Sequence, residues 1–346
     1  MNTKHQQFFT QTLSAWHDRD NQRSYPWKQE KDPYKIWLSE IILQQTRSEQ
    51  GLPYYLNYIQ AFPTIKDLAE APEERVYKLW QGLGYYNRCK NMLVAARTIM
   101  NEHNGIFPNS YEAILQLKGI GSYTAAAIAS FAFHLPYAVL DGNVYRVLAR
   151  FFDIDTPIDT GKGKKEFEQL AQILLDKNNP AKHNQAIMDF GASICTPKNT
   201  QCDICPLASK CLAFKHNTVA LLPIKEKKLK IKTRYFHYLQ LEYKGKYYVQ
   251  QRTGNDIWQN LYEFYLIEKA DANDIANDLE MWAEYSTSTK IIGEIQQKLT
   301  HQIINFKFYK LILSKIPKFI SESHFISSEA MHQKAFPKAI AAQLDF

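Results

Sequence analysis

Apolar residues recur at helical spacing through roughly the first two hundred positions and at alternating, strand-like spacing from about residue 235 onward. Residues 3–20 set Phe8, Phe9, Leu13 and Trp16 on one side of a helix. Asp32-Pro33 then supplies an N-cap and a first-turn proline for a helix over YKIWLSEIILQQTRSEQ. The pattern predicts further helices over 53–62, 73–80, 87–100, 167–175 and 184–194. A glycine hairpin, Gly119-Ile120-Gly121, separates a short helix over 111–117 from an alanine-rich one over 124–133. Beyond Tyr235 the segments FHYLQLEY, KYYVQQR, LYEFYLIE, IIGEIQQKL and INFKFYKLIL read as strands, with one helix near 271–285. The chain therefore divides into an all-α part over 1–215, a basic linker over 216–234 and an α+β domain over 235–346.

A length of 346 residues with 45% hydrophobic and 13% aromatic positions is enough for two real cores. The net charge of +7 favours an anionic partner. No apolar run is long enough for a membrane span, and MNTKHQQFFTQTLSAW lacks the apolar core of a signal peptide. An intracellular protein without a membrane partner is expected, in the cytoplasm or nucleoid if the source is bacterial. Cys89 stands alone, while Cys195-x6-Cys202-x2-Cys205-x5-Cys211 crowds four thiols into one loop. In a reducing compartment that arrangement points to a metal centre rather than disulfides, and spacing alone leaves both zinc and a [4Fe–4S] cluster open. Lys198, Lys210 and Lys215 make the loop a basic knob suited to phosphates. Lys225, Lys227, Lys228, Lys230, Lys232 and Arg234 read as a solvated connector with backbone contact to DNA as a further use.

Four places carry candidate chemistry. Glu40 shares its helical turns with Ile36, Trp37 and Leu43. Desolvation there raises a carboxyl's pKa and keeps it protonated near neutrality, as a general acid requires. Gly119 and Gly121 free backbone N–H groups at the start of a helix, a combination that binds phosphate without reading a base. Asp141-Gly142-Asn143-Val144 opens another helix, where an acid serves as an N-cap worth about 1 kcal/mol and needs no further role. Finally, Gln81-Gly82-Leu83-Gly84-Tyr85-Tyr86, followed by Arg88 and Lys90, presents aromatics suited to stacking on or wedging between bases.

In this order WLSEIILQQT, GLGYY, LKGIGSYTAAAIA, LDGNVYRVLAR and the cysteine spacing resemble the adenine DNA glycosylases of the MutY type, within the helix-hairpin-helix glycosylase superfamily. The resemblance covers nearly the whole chain. It implies a six-helix module over about 25–135, an N-terminal helix and a cluster module over 136–215, and a MutT-like (Nudix-fold) C-terminal domain. It implies a [4Fe–4S] cluster on Cys195, Cys202, Cys205 and Cys211. The implied reaction is base excision repair by a monomer on double-stranded DNA, removing a flipped adenine mispaired with 8-oxoguanine or guanine. By likeness Glu40 is the general acid, Asp141 the stabilising or nucleophilic carboxylate, Tyr123 its neighbour and Asn143 a positioning group. Gln45 and Tyr85 are wedges at the lesion, Gly119 and Gly121 hold the DNA backbone, and Gln185, Arg23 and Trp27 border the adenine.

Thr300 and His301 are implied readers of 8-oxoguanine, although Lys298-Leu299-Thr300-His301 stands where the family commonly has Phe-Ser-His, and Asn260-Leu261-Tyr262 replaces Gly-Leu-Trp. The C-terminal domain lacks the glycine- and glutamate-rich Nudix signature, so it is expected to recognise rather than hydrolyse. Lyase members resembling endonuclease III carry a lysine nucleophile where this chain has Tyr123, so a monofunctional glycosylase is expected. Thymine- or uracil-mismatch glycosylases share the cluster, the hairpin and Asp141. Glu40 separates the chain from them, because a pyrimidine leaving group needs less protonation.

Overall fold

The computed structural model describes residues 3–227, 231–271 and 275–344. Lys228 and Lys230 of the basic run, and residues 272–274 of the helix expected near 271–285, lie outside the described residues. The chain forms two compact units, Met1–Glu70 with Asn91–Lys228, and Ala71–Lys90 with Leu229–Phe346.

In chain order the helices are α1 (Thr3–Arg19), α2 (Pro33–Leu43), α3 (Ser48–Ala61), α4 (Ile65–Glu70), α5 (Glu73–Trp80), α6 (Asn87–Glu102), α7 (Tyr111–Gln116), α8 (Ser122–Phe133), α9 (Gly142–Phe152), α10 (Gly161–Leu174), α11 (Pro180–Ser193) and α12 (Leu212–His216). Asp32 caps α2 by accepting the Tyr34 amide at 2.9 Å, with Pro33 in the first turn. The helix expected to run on through Gln50 stops instead at Leu43 and restarts at Ser48. Gln45 lies in that break at φ +56, a left-handed conformation no helix can carry. Sequence periodicity also passes over α4, which is too short to show a repeat.

The hairpin has a steric reason for its first glycine. Gly119 sits at φ +82, and a Cβ on it would lie 2.6 Å from the Asn91 Cβ. From Thr124 to Ser130, α8 is buried, and its run of alanines lets α2 pack closely beside it. Gln44, just past the C-terminal end of α2, donates to the Thr124 hydroxyl near the start of α8 at 3.1 Å, so the two helices run antiparallel. Phe9, Leu13 and Trp16 of α1 join Val147 and Phe151 of α9, Phe167 of α10 and Phe190 of α11 in one core. Each such side chain contributes roughly 1.5–3 kcal/mol by leaving water.

The first part of the basic run keeps Lys225 and Lys227 exposed, as a solvated connector should, while its backbone is tied down. Leu222 is buried, the Ile224 carbonyl accepts from the Ile158 amide at 3.0 Å, and the Asp159 carboxylate accepts the amides of Glu226 and Lys227. Arg234, at the other end, lies in a strand and is ion-paired with Asp256 and Glu268 at 2.7 Å each, so it is not a free DNA contact.

The second unit holds β1 (Lys232–Tyr243), β2 (Lys246–Tyr248), β3 (Gln250–Gln251), β4 (Tyr262–Glu263), β5 (Tyr265–Lys269), β6 (Ser286–Lys298), β7 (Gln302–Leu313) and β8 (Phe325–Ile326), with α13 (Ala276–Ala283), α14 (Ser328–Gln333) and α15 (Lys338–Ala341). The main sheet has the order β6-β7-β1-β2-β8, with β5 also paired to β1. Among the described residues only β1 and β7 run parallel, in register from Lys232 opposite Gln302 to Glu242 opposite Ile312. Their side chains alternate between two cores, Phe236, Tyr238, Phe306 and Phe308 on one face, Leu239, Leu241, Tyr309 and Leu311 on the other. The segment Ala71–Lys90 joins this unit through Glu74, which accepts from the Tyr262 hydroxyl at 2.8 Å and pairs with Lys334 at 2.6 Å, and through Tyr77, which accepts from the Asn260 amide at 3.0 Å.

Candidate active site

Glu40 projects from α2 into the first unit with only 7% of its surface exposed. Burial pushes its carboxyl up to about 7, against a hydrogen bond from Tyr123 and with help from the charge of Asp141. Tyr123 stands in the first turn of α8, directly after the glycine hairpin. Burial and the two neighbouring carboxyls hold its phenol well above the ordinary range, so it remains a donor. The sequence-predicted trio of Glu40, Tyr123 and Asp141 is thus brought together electrostatically.

Asp141 caps α9, as its place in the sequence predicts. As N-cap of α9 it accepts the Val144 amide on Oδ1 at 2.7 Å, and it takes the Asn143 side-chain amide on Oδ2 at 2.7 Å. Burial raises its pKa, while those donors, the Asn143 backbone and the charge of Arg146 favour the anion. Several groups therefore stabilise ionised Asp141, whereas Glu40 has Tyr123 alone. Two carboxyls with environments this different separate into an acid and an anion.

Several supporting residues were missed by sequence reasoning. Arg146, one turn beyond Asn143, donates to Asn143 Oδ1 at 2.8 Å, to the Gly191 carbonyl at 2.6 Å and to the Cys195 carbonyl at 2.7 Å. Gly191 belongs to this cluster for want of a side chain, since a Cβ there would lie 2.7 Å from the Asn143 Cβ. Arg150, a further turn along α9, donates to Cys195 Sγ at 3.5 Å, the Thr196 carbonyl at 2.8 Å and the Thr200 hydroxyl at 3.1 Å. Asn143, Arg146 and Arg150 follow at three- and four-residue spacing on an otherwise largely apolar helix, which is the signal that could have found them.

Cys195, Cys202, Cys205 and Cys211 line one small cavity closed by Arg150 and Phe214. Four thiols on the walls of one cavity form a donor set that fits either a zinc ion or an iron–sulfur cluster.

On the other side of Glu40 lies a cavity of about 300 Å³ that Trp27, Phe131, His134 and Gln185 also line. Trp27 and Gln185 thus share a space with the acid, as their expected role requires. Arg23 does not line it. Its guanidinium instead faces Asp189 at 3.2 Å, beside Lys28, whose ammonium meets the same carboxylate at 2.7 Å.

In the second unit Tyr85, Leu299, Thr300, His301, Trp258 and Arg88 line a cavity of about 570 Å³. Thr300 and His301 are exposed at the tip of the β6–β7 hairpin, and the Tyr85 hydroxyl lies 2.5 Å from Thr300 Oγ1. Tyr85 adopts φ +51. Its loop is fixed by its own side chains: the Trp80 indole and the Arg88 guanidinium both donate to the Gly84 carbonyl, at 3.0 and 3.2 Å. Arg88 lies 5.2 Å from the Trp80 ring and 5.4 Å from the Tyr85 ring. Both expected wedges, Gln45 and Tyr85, therefore occupy left-handed backbone that is rare outside glycine, the kind of strain that concentrates at functional sites.

Residues 38–175 match the HhH-GPD superfamily of base excision DNA repair proteins, and residues 237–345 match a NUDIX domain. A thermostable thymine-DNA glycosylase superposes on 62% of the chain and 98% of its own, with a TM-score of 0.58 and 28% identity. Endonuclease III in a non-covalent DNA complex superposes on 63% of the chain and 99% of its own, with a TM-score of 0.55 at 20% identity, a likeness of fold. The hairpin and the carboxyl pair thus stand in a helix-hairpin-helix DNA N-glycosylase. An adenine DNA glycosylase of Buchnera aphidicola subsp. Baizongia pistaciae is 36% identical over 328 residues, covering 92% of this chain and 90% of that one. The chain belongs to the adenine DNA glycosylase family.

Proposed function

We propose that the chain excises adenine paired with 8-oxoguanine, and more slowly with guanine, from double-stranded DNA by hydrolysing the N-glycosidic bond of a flipped nucleotide. The observation that carries this reading is the pairing of Glu40, protonated up to about pH 7, with a hydrogen-bonded Asp141. Glu40 gives its proton to a ring nitrogen of adenine. The bond from sugar C1′ to the base breaks, its electron pair leaving with the base. Positive charge on the sugar develops against the Asp141 carboxylate. Water then adds at C1′ and loses a proton to Glu40, which restores the acid and leaves an abasic sugar. Tyr123 holds Glu40 and offers no amine, so strand cleavage through a Schiff base does not follow.

The cavity containing Trp27 and Gln185 receives the base, while Gln45 and Tyr85 wedge the duplex and the amides around Gly119 and Gly121 hold its backbone. Cys195, Cys202, Cys205 and Cys211 would hold a [4Fe–4S] cluster, which when bound braces the loop from 195 to 211. Thr300, His301 and Tyr85 read the 8-oxoguanine. In this scheme 1–215 is the catalytic domain, 216–234 the connector and 235–346 the recognition domain.

The test is single-turnover base release from duplexes containing adenine opposite 8-oxoguanine, guanine or thymine, with a T·G control. Rapid release opposite 8-oxoguanine, slower release opposite guanine and none opposite thymine are expected, without a borohydride-trapped adduct. Cleavage of T·G in place of adenine overturns the reading. Iron with absorption near roughly 400 nm, against zinc, tests the cluster.

A further inference from the structure

We infer that the base cavity has a second mouth, at the end of the helix pair remote from the hairpin, through which freed adenine leaves while the abasic DNA is still bound. The inference rests on the reading of the site given above and adds to it a route for the product.

The geometry comes from two antiparallel helices. From Ser122 to Phe133, α8 is 12 residues long, so its ends lie about 18 Å apart. Tyr123, in its first turn beside the hairpin, does not line the cavity; Phe131 and the C-cap His134, at its far end, do. The neighbouring α2 runs the other way, pinned by the bond from Gln44 to Thr124. Gln45 follows its hairpin end, whereas Lys31, which lines the cavity, precedes its opposite end. Glu40 lines this cavity beside Ile36 and Ser39 and has Tyr123 and Asp141 as its electrostatic partners.

That space reaches water. Ile36 and Ser39 are each 2% exposed at its inner wall, while Lys31, His134, Asn178 and Asn179 on its rim are exposed. Its volume of about 300 Å³ corresponds to roughly ten waters at about 30 Å³ each, more than a purine displaces. The rim also suits passage rather than capture. Lys182 is paired with Asp18 at 2.7 Å, and the asparagines offer only neutral hydrogen bonds to a leaving base that is itself neutral. Escape by this mouth removes the one nucleophile able to re-form the glycosidic bond, so excision becomes irreversible without release of the DNA.

The full-length, cluster-loaded protein is given a duplex whose target adenine is radiolabelled and lies opposite 8-oxoguanine. Bond cleavage is read by alkaline strand scission, and base escape by the label that stays with the protein–DNA complex through rapid gel filtration. Asn178→Trp and Ala181→Trp narrow the rim; Asn178→Ala is the open control. A ratio of label escape to cleavage at least tenfold below the parent's in both tryptophan variants, whatever their cleavage rates, is the expected result. Label leaving both variants at the parental rate overturns the inference. So does a parallel fall in cleavage and escape by one factor, which makes the rim part of the binding pocket. If the parent protein frees no adenine from this duplex, it is the proposed function that has failed.

Discussion

The carboxyl centre of the first unit and the proposed lesion reader of the second, the cavity of Tyr85, Thr300 and His301, are built in opposite ways. Glu40 is 7% exposed and its proton affinity is set by burial. Tyr85 is 48% exposed, and Thr300 and His301 ride the tip of a hairpin. Chemistry on a glycosidic bond needs a dry place, because water would level the two carboxyls to the same pKa. Reading a base in DNA needs groups that stand out from the surface yet do not sway. The molecule meets the first need by burial and the second by strain, a left-handed tyrosine held between Arg88 and a threonine.

The sharpest break in that comparison is Asp141→Asn or Glu40→Gln. Each should cut single-turnover base release by on the order of 10³-fold or more, as loss of a charge-stabilising or proton-transferring group does. Binding to an 8-oxoguanine duplex, followed by fluorescence anisotropy, should stay within a few-fold. Next comes Gly191→Ala, which crowds the Asn143 Cβ at 2.7 Å and so moves the donor on Asp141. Misplacement of this order costs about 10²-fold in rate, and the cysteine loop should remain loaded.

The pH profile separates the units without mutation. Glu40 must carry its proton and Asp141 must not; the pKa of Glu40 is raised to about 7 and that of Asp141 lies above its ordinary value, so release should fall about tenfold per unit above 7 and fall again on the acid side as Asp141 takes up its proton. Lesion binding should not follow that fall. The smallest effect is expected at Arg88→Leu, which removes the clamp on Tyr85 but leaves the dry centre intact. Preference for 8-oxoguanine over guanine should drop by roughly fivefold, the worth of one cation–π contact of about 1 kcal/mol. An unchanged preference would mean that the backbone alone holds Tyr85.

Much of the centre could be read before any coordinates. Glu40 stood out because an apolar helix leaves an acid nowhere wet to go, whereas Asp141 read as an ordinary N-cap and drew a chemical role only from the family resemblance. Arg146 and Arg150 could not be read this way. A charged residue on a helix is ordinarily solvated, and carbonyls far away in sequence, those of Gly191 and Cys195 for Arg146 and those of Thr196 and Leu222 for Arg150, turn these two inward. Gly191 was hidden for the same reason, since a glycine inside a helix declares a close approach without naming the approaching group. The break between α2 and α3 escaped notice because residues 44–50, QQTRSEQ, hold several good helix formers and no glycine or proline to mark a stop. What stops the helix is the left-handed Gln45, a cost repaid by position rather than by local preference.

The segment Ala71–Lys90 gives the two halves an unusual dependence. Because the chain enters the second unit at 71, leaves it at 90 and returns at 229, no single cut in the connector liberates a complete module. A gene truncated after residue 227 would still encode Glu74 and Tyr77 but not Lys334, Tyr262 and Asn260, their partners. Conversely, a fragment beginning at the connector would lack Tyr85 and hold only half of the reading pocket. Swapping recognition domains between relatives would thus have to exchange two stretches of sequence together, a constraint that favours their inheritance as one piece.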